Sequence, residues 1–166
     1  MRVIVHFQIR SILFFVLMLA VGNAYAAVPV QGVSRGDVAK WFAALGMTVE
    51  DKSEKDDDPW LIVTTKDERV FNVFLHQCAS KSPGLSVACT QMRFKLFWDN
   101  EKGITLEAVN KFNLDYVFGR GFITDDKKLG VDYAMNLKGG ATRKLVEENV
   151  QYFLRVDDDF ETEVKP

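Results

Sequence analysis

The sequence predicts an α+β domain: a mainly antiparallel sheet with helices packed on it, in the order α-β-β-β(-β)-α-β-β-α. Three observations lead there. Apolar runs rich in β-branched and aromatic residues, several of them alternating with polar ones, come in two groups. Three amphipathic stretches, each opened by Ser or Thr, flank and separate those groups. There is no internal repeat and no regular alternation of strand with helix, which argues against a parallel α/β sheet.

The elements follow in chain order. Ser34 caps a first helix, with Asp37 three residues on as an acidic variant of the capping box, and Val38, Trp41, Phe42 and Leu45 share one face. Gly46 stops it. Met47 to Glu50 is a brief strand leading into Asp51 to Asp58 (DKSEKDDD), which is too polar to be buried. After Pro59, Trp60 to Thr65 forms a strand, Lys66 to Arg69 a turn, and Val70 to Gln77 the returning arm. Lys81 to Gly84 marks a further turn before a long strand from Val87 to Trp98. Asn100 to Gly103 breaks the sheet, and Thr105 caps a second helix with Leu106, Val109, Phe112 and Leu114 as its apolar residues. Val117 to Thr124 and Leu129 to Leu137 make a second hairpin, in which Gly119 and Gly121 suit close backbone approach or a bulge better than a phosphate loop. Gly139 and Gly140 end it, and a last helix runs from Thr142 towards Val156 with Leu145, Val146, Asn149, Val150, Phe153 and Leu154 on one face. Asp157, Asp158 and Asp159 oppose the helix dipole and predict fraying there.

Residues 1–26 read as an export signal. Arg2 and Arg10 give a positive start, Ile12 to Gly22 carries no charge, and Ala24-Tyr25-Ala26 offers small residues at both positions a signal peptidase inspects. That run of 11 residues is short of the roughly 20 that span a bilayer. Cleavage at Ala26/Ala27 would release a single domain, 27–166, into the periplasm or the medium, with no permanent membrane span. Of the 21 basic residues Arg2 and Arg10 would be lost, leaving 19 against 23 acidic, which argues against nucleic acid as a partner. A hydrophobic content of 48% with 13 Phe indicates a packed globule.

Cys78 and Cys89 are the only cysteines. In Val70 to His76, Phe71, Val73 and Leu75 alternate with Asn72, Phe74 and His76, and Cys78 falls with the second set. In the next strand Thr90, Met92, Phe94, Leu96 and Trp98 form the apolar face, while Cys89 belongs with Gln91, Arg93 and Lys95. Both thiols therefore share the less apolar face of two strands that can pair, provided no bulge shifts the register. In an oxidising compartment this predicts a structural disulfide.

The inventory for catalysis is thin. His76 is the only histidine after residue 26, and its place in an alternating strand reads as a sheet-face residue rather than part of a triad. Asp51, Glu54, Asp56 and Asp58 are hard oxygen ligands, yet the run lacks the D-x-[DN]-x-[DN]-G pattern of a calcium loop and reads as solvated. No metal site, cofactor or enzymatic activity is expected. Arg120 between two glycines can present its guanidinium to a carboxylate or phosphate, or form an internal salt bridge or stack on Phe118 or Phe122. Asn110 and Asn113 share a helix face and are expected to bond the backbone of the following loop rather than a ligand. Asn110, Asn113 and Arg120 are the best polar cluster for a candidate binding site.

Asn110 and Asn113 around Phe112, the run Phe118-Gly119-Arg120-Gly121-Phe122, the Phe71-Asn72-Val73 strand with Cys78 and Cys89, and Gly139-Gly140 before a helix together resemble the YbjN family. That family carries the description of bacterial sensory transduction regulator. The resemblance covers roughly Val38 to Phe160. It implies a fold similar to type III secretion chaperones, small α+β proteins that commonly dimerise and bind extended protein segments. The function expected is an exported, non-catalytic protein-interaction or chaperone-like module, with a protein or peptide partner and a homodimer as the assembly the resemblance implies. The alternative is a periplasmic small-ligand sensor that fixes an anionic group.

Overall fold

A computed structural model describes residues 32–53, 59–79 and 88–164. The export signal and its cleavage point lie outside the described residues, as do the Lys81–Gly84 turn, Val87, and the acidic positions Glu54, Asp56 and Asp58. The elements are α1 (Arg35–Ala44), β1 (Thr48–Asp51), β2 (Trp60–Thr64), β3 (Val70–Cys78), β4 (Cys89–Trp98), α2 (Leu106–Asp115), β5 (Gly119–Ile123), β6 (Leu129–Asn136) and α3 (Arg143–Glu163). This is the order the sequence predicts, with four strands ahead of α2. They form a six-stranded antiparallel sheet, β1-β2-β3-β4-β6-β5.

Each helix begins as its capping residue dictates. Ser34 Oγ accepts from the Asp37 amide at 3.1 Å and donates to the Asp37 carboxylate at 2.6 Å. Thr105 accepts from the Ala108 amide, and Thr142 from that of Leu145. All three pack on one face of the sheet. There Phe94 meets Phe42 of α1, Phe153 of α3, Phe71 of β3 and Tyr133 of β6 at centroid separations of 5.5–6.4 Å. The alternation in the strands decides which side is buried. Phe71, Val73, Leu75, Met92 and Phe94 are fully buried, whereas Asn72, Phe74, His76, Arg93 and Lys95 are only half-buried.

Gly119 and Gly121 sit on the helix-facing side of β5. A Cβ at Gly119 would lie 2.3 Å from Val156 Cγ1, and one at Gly121 would lie 2.5 Å from the Phe160 ring. Their role is thus the close approach of α3 to an edge strand.

The fraying expected at Asp157 to Asp159 does not occur. α3 continues to Glu163 because Val156, Phe160 and Val164 keep the apolar stripe running through the aspartates into the core. Arg69, from the β2–β3 turn, answers the negative charge. Its Nη1 donates to Asp158 at 2.8 Å, and to Asp157 and the Leu154 carbonyl at 3.3 Å each. Its own pKa is raised: burial pulls it down, but Asp158, Asp67 and Asp157 outweigh that.

Asp157 is nearly inaccessible, and its Oδ1 has no hydrogen-bond partner. Burial raises its pKa from 3.8 to about 6, against the opposing pull of Arg69. The folded state therefore holds this proton more tightly than the unfolded chain, and stability is lost as pH rises from about 4 through 6. A shift of about two units corresponds to about 3 kcal/mol in full, and relaxation around the partly exposed Arg69 reduces it to about 1–2 kcal/mol. Asp157→Asn is expected to gain that much on wild type between pH 4 and pH 7, read from urea unfolding at both. Parallel pH profiles would show an unperturbed carboxyl.

Candidate functional site

The face of the sheet turned away from the helices is the chain's most distinctive surface. No described helix packs on it. The register lays rows of side chains across it, one of which reads Glu50, Ile62, Asn72, Lys95, Asp132 and Arg120 from edge to edge. The next reads Trp60, Phe74, Arg93 and Ala134.

Across β4, β6 and the edge strand β5 lies a charge cluster. Asp132 is almost fully buried although it points to the open face, because Arg93 and Arg120 close over it. Arg120 Nη2 donates to Asp132 Oδ2 at 2.9 Å, and Arg93 Nη2 bonds the same oxygen. One carboxylate thus answers two guanidiniums, and Lys95 stands directly opposite Asp132 on β4. Lys95 has a lowered pKa: burial is the main cause, Arg93 and Arg120 add to it, and Asp132 opposes. Arg93 Nε is buried without a hydrogen-bond partner. Beside it a shallow depression of about 310 Å³ is lined by His76, Gln91, Arg93, Ala134 and Asn136, with Met92 and Met135.

Aromatic side chains surround the cluster. Trp60 stacks on Phe74 at 5.8 Å with planes 9° apart, and Phe74 on His76 at 6.2 Å with planes 4° apart. Phe97 meets Phe122 edge to face at 5.7 Å. The Lys95 ammonium sits 5.3 Å from the Phe74 centroid and 5.9 Å from that of Phe122. Val70 and Phe97 are the most exposed apolar residues here, at 51% and 37%.

The three polar residues singled out from sequence are engaged separately. Asn113 holds the edge strand: its Nδ2 donates to the Gly121 carbonyl at 3.1 Å and its Oδ1 accepts from the Gly121 amide at 2.7 Å. Asn110 is exposed on α2 near Lys111 and Leu114. Arg120 takes the internal salt bridge to Asp132 and keeps 61% of its side chain exposed. The residues that sequence reading did not single out are Asp132, Arg93 and Lys95. Alternation placed Arg93 and Lys95 on the outer face, but nothing local marks Asp132 as their partner.

Cys78 and Cys89 stand directly opposite one another in the β3–β4 register and are joined as a disulfide. The segment before α1 pairs with β4 beside the bridge: Val33 exchanges two backbone hydrogen bonds with Cys89, which is fully buried. His76 is the ring stacked on Phe74 described above. Among the described residues, no three His, Cys, Asp or Glu side chains gather as a metal site, and no helix is long and apolar enough to cross a membrane.

Comparison with known proteins gives a family and two solved structures. The family model YbjN, described as "putative bacterial sensory transduction regulator", matches residues 34–166. The crystal structure of YbjN from E. coli, called a transcription regulator of that same unproven standing, aligns with a TM-score of 0.47 at 15% identity, covering 73% of this chain and 83% of that one. An uncharacterized protein from Methanothermobacter thermautotrophicus aligns with a TM-score of 0.49 at 10% identity, covering 76% and 93%. No curated protein matches the chain.

Proposed function

The chain belongs to the YbjN family, and from that premise we propose that it is an exported, non-catalytic module that binds a protein partner on the open face of its sheet. The observation that carries this reading is the asymmetry of the sheet. Three helices cover one face, while the other leaves rings and cations at the surface with no described element over them. Exposed rings set around cations, with no described element over them, form a surface that a partner can cover. Export is supported by the positive, apolar and small-residue sequence of 1–26, and by a cysteine pair suited to an oxidising compartment.

A photo-crosslinking residue at Phe97, exposed on the open face near the end of β4, is the direct test. The same residue at Leu114, which is 86% exposed on α2, is the control. Irradiation in cells is expected to give a discrete protein adduct from position 97 and none from 114. Equal labelling, or none at 97, defeats the proposal.

A further inference from the structure

We infer that the open face takes an extended, acidic protein segment whose carboxylates meet Arg93, Lys95 and Arg120; this rests on the protein-binding reading above and gives that partner its chemistry.

The first argument is charge. The cluster sets three cations against Asp132, in a chain whose net formal charge is −2. The other carboxylate of the row, Glu50 at the sheet edge, is occupied by Lys52 at 2.5 Å. A local cationic excess on an acidic molecule selects an anionic partner and steers its approach. The buried, unpartnered Nε of Arg93 and the crowding of Lys95 by two guanidiniums leave the cluster short of negative charge.

The second is spacing. Arg93 and Lys95 are two residues apart on one strand and so project from the same face about 7 Å apart. An extended peptide with acidic residues at alternate positions repeats at that same interval, whereas a compact anion meets only one of the two. Arg120 continues the row across Asp132.

The third is how the rings stand. Trp60, Phe74 and His76 have nearly parallel planes and turn their faces to one another, and Lys95 lies near Phe74 and Phe122. A single-stranded nucleic acid needs free ring faces for its bases.

The test is fluorescence anisotropy with the full exported chain and three labelled probes: a twelve-residue peptide alternating Glu with Leu, its Lys-for-Glu counterpart, and a twelve-nucleotide oligothymidylate. The Glu peptide is expected to bind at least tenfold more tightly than either other probe, and to weaken as salt rises. Lys95→Glu and, separately, Arg120→Glu should each reduce that binding at least tenfold, with thermal unfolding and circular dichroism checking that the fold is kept. Lys95→Gln offers a milder second variant if the charge reversals unfold. Failure of the Glu peptide to bind, equal binding of the Lys peptide, or indifference to both Lys95 variants overturns the inference. Preference for the oligonucleotide replaces it with nucleic-acid binding. A Phe97 crosslink formed alongside a negative peptide result leaves the protein-binding reading standing and removes only the acidic ligand.

Discussion

Replacing Phe94 by alanine is expected to lower the stability of the domain by about 4 kcal/mol. Phe94 is fully buried where both terminal helices meet the central strands. It contacts Phe42 of α1, Phe153 of α3, Phe71 of β3 and Tyr133 of β6. Truncation removes the transfer free energy of the ring and opens a cavity walled by other rings, which cannot close without moving two helices. It also removes several ring-on-ring contacts, each worth about 0.5–1.5 kcal/mol beyond buried area. Urea unfolding followed by circular dichroism should show a lower midpoint with little change in slope, and Phe94→Leu should lose less. A loss below about 1.5 kcal/mol for the alanine variant would mean that α1 and α3 do not share this core.

The core was legible because it depends on short-range pattern. Phe71, Val73 and Leu75 in one strand and Met92, Phe94 and Leu96 in the next were assigned inward by alternation, and all six are buried. The helix caps Ser34 and Thr105 are legible for the same reason, and Thr142, read as the start of the last helix, is its cap. The outer-face cluster was not, because it is assembled from afar. Asp132 lies 39 residues from Arg93 and 12 from Arg120, and its burial follows from the strand order, in which β6 inserts between β4 and β5. A single sequence does not give that order. The length of α3 is not legible for a related reason: Asp157 to Asp159 oppose the helix dipole locally, while the neutralising Arg69 comes from 88 residues away. One local signal was available: Phe153, Val156, Phe160 and Val164 keep helical spacing through the acidic run. Asn113 reaches past the loop that follows it, where its partner is expected, to Gly121 in β5, eight residues on.

Breaking the Cys78–Cys89 bridge is expected to cost about 3 kcal/mol, by the loop entropy of the 11-residue separation it closes. The bridge lies on an antiparallel register that the neighbouring pairs His76 with Gln91 and Phe74 with Arg93 already set. The folded geometry therefore does not depend on it, and the gain falls chiefly on the unfolded chain. The Cys78→Ala, Cys89→Ala double variant should thus keep its circular dichroism and bind the Glu peptide as wild type does, while unfolding at lower urea. Adding a phosphine reductant to wild type should move its curve onto that of the variant; coincident curves before and after reduction would show that the bridge contributes nothing. The size of the effect ties stability to compartment. A loss of about 3 kcal/mol changes the ratio of folded to unfolded chains by roughly a hundredfold, a large part of what a domain of this size ordinarily has. A chain held in a reducing compartment would be correspondingly marginal, while one reaching an oxidising compartment would close the bridge and present the same open face on a firmer scaffold. Export and binding would then be linked through the fold itself: Cys78 lies on β3 with Phe74 and His76, and Cys89 opens β4, the strand that carries Arg93, Lys95 and Phe97.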